Sequence, residues 1–456
     1  MLDFMDYVLR AFEECTGWNS DNSYEKVDST SNALLKFSIP TSLRLQTSSI
    51  STSNIFSTLE VAADKRIVGS LAYLYTNADN LLDSVKSSSE RRLQWSTETY
   101  RHARPIFVSP TLATGSGDTD AGKSIRKALY YGRICYPTST LEAMYIRRMS
   151  LENQIILKVV SNVVSGTNAM LVNWQHFTRT SSHEFLYLSN GALCGYRTMH
   201  NFLSAPSKFN SSLYNNSTLS LGGEVWLGLS ARTPGCSTTL RYCTYATNTG
   251  RPLTLTFAFN PLFGHISSTY SAKTSSNSTF CARYDFNLYS TDSNLSLGCE
   301  LWKRSSRANT RDTETPKHTV TFGENVGMIS KIVAENTNNN IDDQQQRLLS
   351  DFSHTFSSSL QKIDRERLAV ENFESKLNNE NFTSVWKLAT SLRDKTLRLL
   401  WEGKFRGFLL SAGAELSLGN RDSASDGVEG RHTTPIRESS GPNVRSKFGI
   451  TIQYAA

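Results

Sequence analysis

The sharpest chemical signature in the chain is Gly117-Asp-Thr-Asp-Ala-Gly122-Lys123-Ser124. It is a literal match to GxxxxGK[ST], the pattern in which backbone amides and a lysine cradle nucleotide phosphates. That chemistry needs a buried strand before the loop and a helix after it. Here TLATGS precedes the motif, and Asp118 and Asp120 place negative charge where the nucleotide would bring its own. The octapeptide therefore reads as a solvated loop. The eight histidines are dispersed, with no HExxH and no Ser/His/Asp arrangement that sequence supports. Seven cysteines (Cys15, Cys135, Cys194, Cys236, Cys243, Cys281 and Cys299) include no CxxC pair, so neither a zinc site nor a disulfide framework is indicated. No catalytic residue, cofactor or metal is assigned, and no enzyme activity is expected.

Two sets of side chains point to other work. Arg241, Arg283, Asp285, Glu224, Glu300, Lys387 and Glu415 fall on the polar faces of alternating segments. There they either line an ion-selective pore or form internal salt bridges on a solvated inner wall. The exposed aromatics form two groups: Tyr73 with Tyr75, and Phe280 with Tyr284 and Phe286. Each is read either as part of the interfacial aromatic girdle of a membrane barrel or as a docking surface for a partner.

The elements that must position these residues follow from periodicity. Leu2, Met5, Val8, Leu9 and Phe12 recur at helical spacing, with Asp3, Asp6 and Arg10 elsewhere around the cylinder, which predicts one amphipathic N-terminal helix. From about residue 33 the period becomes two. Phe280, Ala282, Tyr284, Phe286 and Leu288 share one strand face against Cys281, Arg283, Asp285 and Asn287, and Phe448, Ile450, Ile452 and Tyr454 stand against Gly449, Thr451 and Gln453. About nineteen such strands are predicted, beginning near 33–47 and ending near 446–455, with one near 352–364. Lys395 to Trp401, KTLRLLW, is predicted as a short helix. Polar stretches at 77–125, 305–345 and 420–445 are expected to be long loops outside the membrane.

A single sheet of that many strands must close, because open sheets seldom exceed about ten strands. The expected fold is all-β, a 19-stranded transmembrane β-barrel at 31–456, preceded by a helix and lead-in segment at 1–30. With an odd count the first and last strands pair in parallel, and the N-terminal segment is expected to run through the lumen; lying on the lipid surface is its competitor. Bulk properties agree with such a barrel. The net charge of +7 is too dilute over 456 residues for a nucleic-acid groove, so no nucleic-acid partner is expected. No stretch reaches the roughly 18 apolar residues of a spanning helix, but a spanning strand needs only about 9 to 11 residues. Asp3 and Asp6 stand where a signal peptide would carry Lys or Arg, so no secretory leader is read.

The last strand, Lys447-Phe448-Gly449-Ile450-Thr451-Ile452-Gln453-Tyr454, resembles the sorting signal of mitochondrial outer-membrane barrels, with Lys447, Gly449, Ile452 and Tyr454 at its defining positions. Longer segments carry a second resemblance: YEKVDSTSNALLKFSIP, KALYYGRICYP, LCGYRTMHNFL, NTGRPLTLTFAFNPLFGHISSTYSAKT and FTSVWKLATSLRDKTLRLLWEGKFRGFLLSAGAEL. They are similar to the fungal mitochondrial distribution and morphology protein ten family. That resemblance implies a 19-stranded barrel related in architecture to porin and the Tom translocase pore, placed in the mitochondrial outer membrane. It implies two sets of partners besides membrane lipids. One is the sorting and assembly machinery, including its central barrel; the other is the endoplasmic reticulum–mitochondria contact complex, whose proteins carry lipid-transfer domains. A porin-type metabolite or ion channel is the alternative function.

Overall fold

A computed structural model describes residues 1–63, 66–78, 81–100, 127–162, 166–178, 180–203, 217–230, 232–244, 252–275, 277–304, 382–419 and 443–456. The strands are β1 (Leu43–Thr52), β2 (Ile55–Ala63), β3 (Ile67–Thr76), β4 (Ala128–Tyr136), β5 (Thr140–Arg148), β6 (Asn153–Asn162), β7 (Thr167–Phe177), β8 (Ser181–Leu188), β9 (Leu193–Leu203) and β10 (Ser217–Gly228). They continue as β11 (Thr233–Thr244), β12 (Leu253–Asn260), β13 (His265–Lys273), β14 (Ser278–Asn287), β15 (Ser293–Arg304), β16 (Phe382–Ser391), β17 (Thr396–Phe405), β18 (Phe408–Gly419) and β19 (Asn443–Ala455). Each strand pairs antiparallel with the next. The 19-stranded sheet then closes through β1 and β19, which run parallel from Leu43 opposite Ile450 to Ser48 opposite Ala455. Closure leaves no unpaired sheet edge, and the odd number of strands imposes the parallel seam.

The wall is apolar outside and polar inside, the reverse of a soluble sandwich, whose apolar faces meet in its core. Leu59, Val61, Leu221, Val225, Phe257, Leu297, Leu416 and Ile450 are exposed, whereas Gln46, Glu60, Arg241, Lys387 and Glu402 are buried. Period-two alternation in sequence thus becomes an apolar outer surface and an ionic inner one.

One predicted strand and one predicted helix are corrected. Residues 33–42 are not strand: α2 (Ser29–Leu35) and an extended lead-in precede β1. Of their apolar side chains Ala33, Leu34, Leu35 and Phe37 are buried inside the barrel and Ile39 is partly buried, so their hydrophobicity serves luminal packing. Conversely, KTLRLLW is strand: β17 pairs with β16 and β18 along its length. It looked helical because it is apolar on both faces. Leu397 and Leu399 point outward, while Leu400 points inward and is buried against Phe37 and Ala389. The proposed strand near 352–364 lies outside the described residues, so nineteen strands are reached with a different member.

The N-terminal segment makes a lap of the inner wall. Helix α1 (Phe4–Cys15) is closed by Gly17 at φ +67°, a left-handed position that glycine adopts without a Cβ penalty. Its apolar face, Phe4, Met5, Val8 and Phe12, packs on Phe56 of β2, Leu74 of β3, Leu129 of β4 and Ile146 of β5. Trp18 then stacks on Phe177 at the end of β7, with ring centroids 4.5 Å apart. Asn22 accepts from Asn201 Nδ2 of β9 at 2.7 Å, and Tyr24 shares a 2.6 Å hydrogen bond with Ser237 of β11. Helix α2 crosses β13 to β16. Ile39 and Pro40 meet Gly413 of β18 and Gly449 of β19, after which the chain enters β1. The segment thus visits the strands in their order around the barrel.

A second inner piece comes from the stretch expected as the first polar loop. Two short helices, α3 (Leu81–Ser84) and α4 (Leu93–Ser96), lie across one mouth. Tyr7 of α1 donates to the Ser84 carbonyl at 2.9 Å, and Leu93 packs with Trp302, Phe382, Val385 and Leu409. Lys404 Nζ donates to the carbonyls of Ser89 at 2.7 Å and Arg91 at 2.8 Å, tying this cap to β17.

Candidate partner surfaces and the filled lumen

The outward aromatics stand where alternation placed them. Tyr73 and Tyr75 project from β3, Tyr73 with 54% of its surface open. Tyr75 lies 6.0 Å, centroid to centroid, from Tyr130 of β4, and Tyr130 lies 4.8 Å from Tyr145 of β5. The pair predicted from sequence is therefore part of a row across three strands. Sequence reading had missed Tyr130 and Tyr145 as members of this row, although KALYYGR and LEAMYIR carry them in outward register. On β14, Phe280 and Tyr284 are exposed and Phe286 is half-buried. Ten strands separate β3 from β14 in one direction and seven in the other, so the clusters sit on nearly opposite flanks.

The defining positions of the last strand divide between the two faces. Ile452 and Tyr454 point outward. Lys447 and Gly449 point inward, where Lys447 Nζ lies 3.6 Å from Glu415. A Cβ on Gly449 would come within 2.6 Å of the Pro40 carbonyl oxygen and the Ser42 nitrogen. Only a residue without a side chain lets the lead-in pass this close to the seam.

All seven inward ionic candidates have partners. Arg241 donates to the Asp21 carbonyl at 3.2 Å, Glu224 pairs with Arg197 at 3.1 Å, and Arg283 pairs with Asp285 at 2.9 Å. Glu415 meets Arg398 at 3.2 Å, Lys387 lies 3.7 Å from Glu402, and Glu300 accepts from the Trp302 indole. Lys387 also donates to the Glu98 carbonyl, and Glu402 receives the Met1 ammonium. Paired charges of this kind satisfy one another in an enclosed space and leave little field for a permeating ion. The lumen is occupied by residues that sequence reading had not singled out: Trp18, Tyr24, Leu34 and Phe37, with Arg148 stacked over Trp18 at 4.4 Å. The signal for Phe37 was available in the strand it touches, where apolar residues run on both faces, as in LRLLW.

Enclosure also shifts the groups of the N-terminal segment. Asp6 faces a luminal cavity of about 300 Å³ shared with Asp3, Arg133, Glu142 and Lys158. Water reaches it, yet the surrounding wall removes much of its hydration and Asp3 adds negative charge, so its pKa is raised to about 6. Burial raises the Tyr24 phenol from its usual value. Among the described residues no cluster of His, Cys, Asp or Glu has the arrangement of a metal site. The GKS loop with Lys123 lies outside the described residues.

Fold and interior together define a class: a closed 19-stranded barrel, apolar outside, ionically paired inside, and lined by its own N-terminal segment. The family model of Mitochondrial distribution and morphology protein 10 matches residues 1–456. The protein of that name from Saccharomyces cerevisiae (strain ATCC 204508 / S288c) is 47% identical over 492 aligned residues, covering 100% of both chains. Those from Kluyveromyces lactis, at 47%, and Zygosaccharomyces rouxii, at 46%, are also covered in full. The chain belongs to the Mitochondrial distribution and morphology protein 10 family, and is a mitochondrial β-barrel with a role in mitochondrial morphology.

Proposed function

We propose that the protein is a non-enzymatic scaffold of the mitochondrial outer membrane. In this reading it is a subunit of the endoplasmic reticulum–mitochondria contact complex, where it supports tethering and phospholipid exchange, and also of the sorting and assembly machinery that inserts β-barrel proteins. The observation that carries a scaffold over a channel is the lined lumen: the N-terminal lap and the α3–α4 cap pack along the inner wall and narrow the space left for a metabolite. The apolar outer surface supports membrane insertion through strands of about the length a bilayer requires. Two aromatic clusters on nearly opposite flanks fit a scaffold serving two sets of partners.

Affinity purification from detergent-solubilised mitochondria tests the reading. Both sets of partners are expected with the wild-type chain. Tyr73→Ala with Tyr75→Ala, and separately Phe280→Ala, Tyr284→Ala and Phe286→Ala together, are expected to lose different partners. Recovery of the barrel alone, with open-channel conductance in planar bilayers, would replace the scaffold with the porin-type channel. Lys123→Ala is expected to leave function intact.

A further inference from the structure

Among the described residues three buried arginines, Arg91, Arg148 and Arg241, have no carboxylate within ion-pair distance, and Arg91 is the one that borders an open cavity at the barrel mouth. Arg91 lies between α3 and α4 with only 3% of its surface open, and its guanidinium sits 3.6 Å from the Tyr7 ring centroid and 5.3 Å from that of Phe4. One amino group donates to the Lys86 carbonyl at 3.2 Å, and Nε has no hydrogen-bond partner. Among the described residues no carboxylate lies within ion-pair distance of it, whereas Arg133, Arg197, Arg283 and Arg398 on the wall each have one. A buried guanidinium left this way is costly, and proteins ordinarily pair it or give it a ligand.

Arg91 borders an open cavity of about 290 Å³ at the barrel mouth. Lys86, Arg92 and Trp95 stand exposed on its rim, Trp95 with 45% of its surface open. Glu14 and Glu90 also line it, and neither is within ion-pair distance of Arg91. Lys404 fixes the backbone that carries Arg91 to β17 through its bonds to the Ser89 and Arg91 carbonyls. Planar guanidinium donors beside ammonium groups match a tetrahedral oxyanion. An exposed indole at a barrel mouth is the residue expected at the depth of lipid headgroups.

We propose that this cavity binds a phosphate-bearing anion, with Arg91 as its inner ligand and Lys86 and Arg92 as its rim. The phosphate belongs either to a lipid headgroup or to a free phosphate ester.

Calorimetric titration of the full chain in detergent micelles separates these sources, using dihexanoyl phosphatidic acid, inorganic phosphate and dihexanoyl glycerol as probes. Saturable binding of phosphatidic acid alone places a lipid headgroup in the cavity, and equal binding of inorganic phosphate places a free anion there. Dihexanoyl glycerol, which lacks the phosphate, is expected not to bind. Arg91→Met is expected to weaken the phosphate probe about tenfold or more, and Arg91→Lys less, because it keeps the charge and loses the fork. The exposed pair Lys86→Ala and Arg92→Ala is expected to weaken it severalfold and flatten its salt dependence in a normally folded barrel. That double variant decides the matter should Arg91→Met fail to fold. The proposal is overturned if neither phosphate probe binds saturably, if dihexanoyl glycerol binds as well as phosphatidic acid, or if the folded variants bind like wild type.

Discussion

The inner wall holds its contents in two ways. Across β2 to β5 it is apolar: Phe56, Leu74, Leu129 and Ile146 receive the hydrophobic stripe of α1. Across β15 to β18 ionic groups stand among the apolar ones: Glu300, Lys387, Glu402, Arg398 and Glu415 answer one another and the chain's own ammonium group, beside Trp302, Val385 and Leu400. The apolar half holds by area, which tolerates a helix that can leave and return. The ionic half holds by paired charges, each of which depends on its partner staying in place. Docking of α1 and charge pairing in the wall therefore rest largely on different residues, and they meet where Glu402 receives the Met1 ammonium.

The largest expected effect falls on the ionic half. Lys387→Met removes one of the two cations held by the fully buried Glu402 and leaves it the Met1 ammonium alone. It should cost about 3–5 kcal/mol, read as a lower urea midpoint for barrel unfolding, while protease protection of residues 1–42 persists in the folded fraction. Equal loss of protection and of midpoint would merge the two halves into one unit. Next comes Leu34→Ala, which removes a fully buried side chain from α2. A cost of about 2–4 kcal/mol should appear as faster proteolysis of the N-terminal segment, with the barrel's unfolding midpoint little changed.

Gly449→Ala is a smaller insult. The new methyl meets backbone on the lead-in, which must shift, at a cost of about 1–3 kcal/mol. Hydrogen exchange is expected to quicken at Ile450, whose amide donates to the Ser42 carbonyl at 3.1 Å, and to stay slow at β10. Unchanged exchange at the seam would place the lead-in elsewhere.

The smallest effect concerns Asp6. Its pKa of about 6 in the folded chain lies above the ordinary 3.8, so the docked segment binds the proton more tightly than the released one. Docking is therefore strongest below about pH 4, weakens as pH rises toward 6, and is level above that. Asp6→Asn should slow proteolysis of the segment at pH 7 and make no difference near pH 4. A benefit confined to acid pH would reverse the assigned sign.

The same contrast explains what could be read in the sequence. Where the inner face is ionic or small, as on β14, alternation is clean, and strand, facing and register follow from it. The parallel seam followed from the odd count, and the outward setting of Tyr73, Tyr75, Phe280 and Tyr284 from period two. Where the inner face is apolar, alternation blurs, and there the reading erred: Leu399 and Leu400 on adjacent positions imitated a helix in β17, and the luminal Leu34, Leu35 and Phe37 imitated an outer strand face before β1. An apolar residue can face lipid or a plug, and local pattern cannot tell one covering from the other. The Tyr130 and Tyr145 partners of Tyr75 required the pairing register, a non-local property.

The central claim is the lap of the N-terminal segment around the inside of a closed barrel. Photo-crosslinking amino acids placed singly at Trp18, Tyr24 and Phe37, in mitochondria, followed by peptide mapping, test it most directly. Adducts are expected on β7 from position 18, on β10 and β11 from position 24, and on β16 and β17 from position 37, in circumferential order. Adducts to lipid from all three positions, or to one and the same strand, would contradict it.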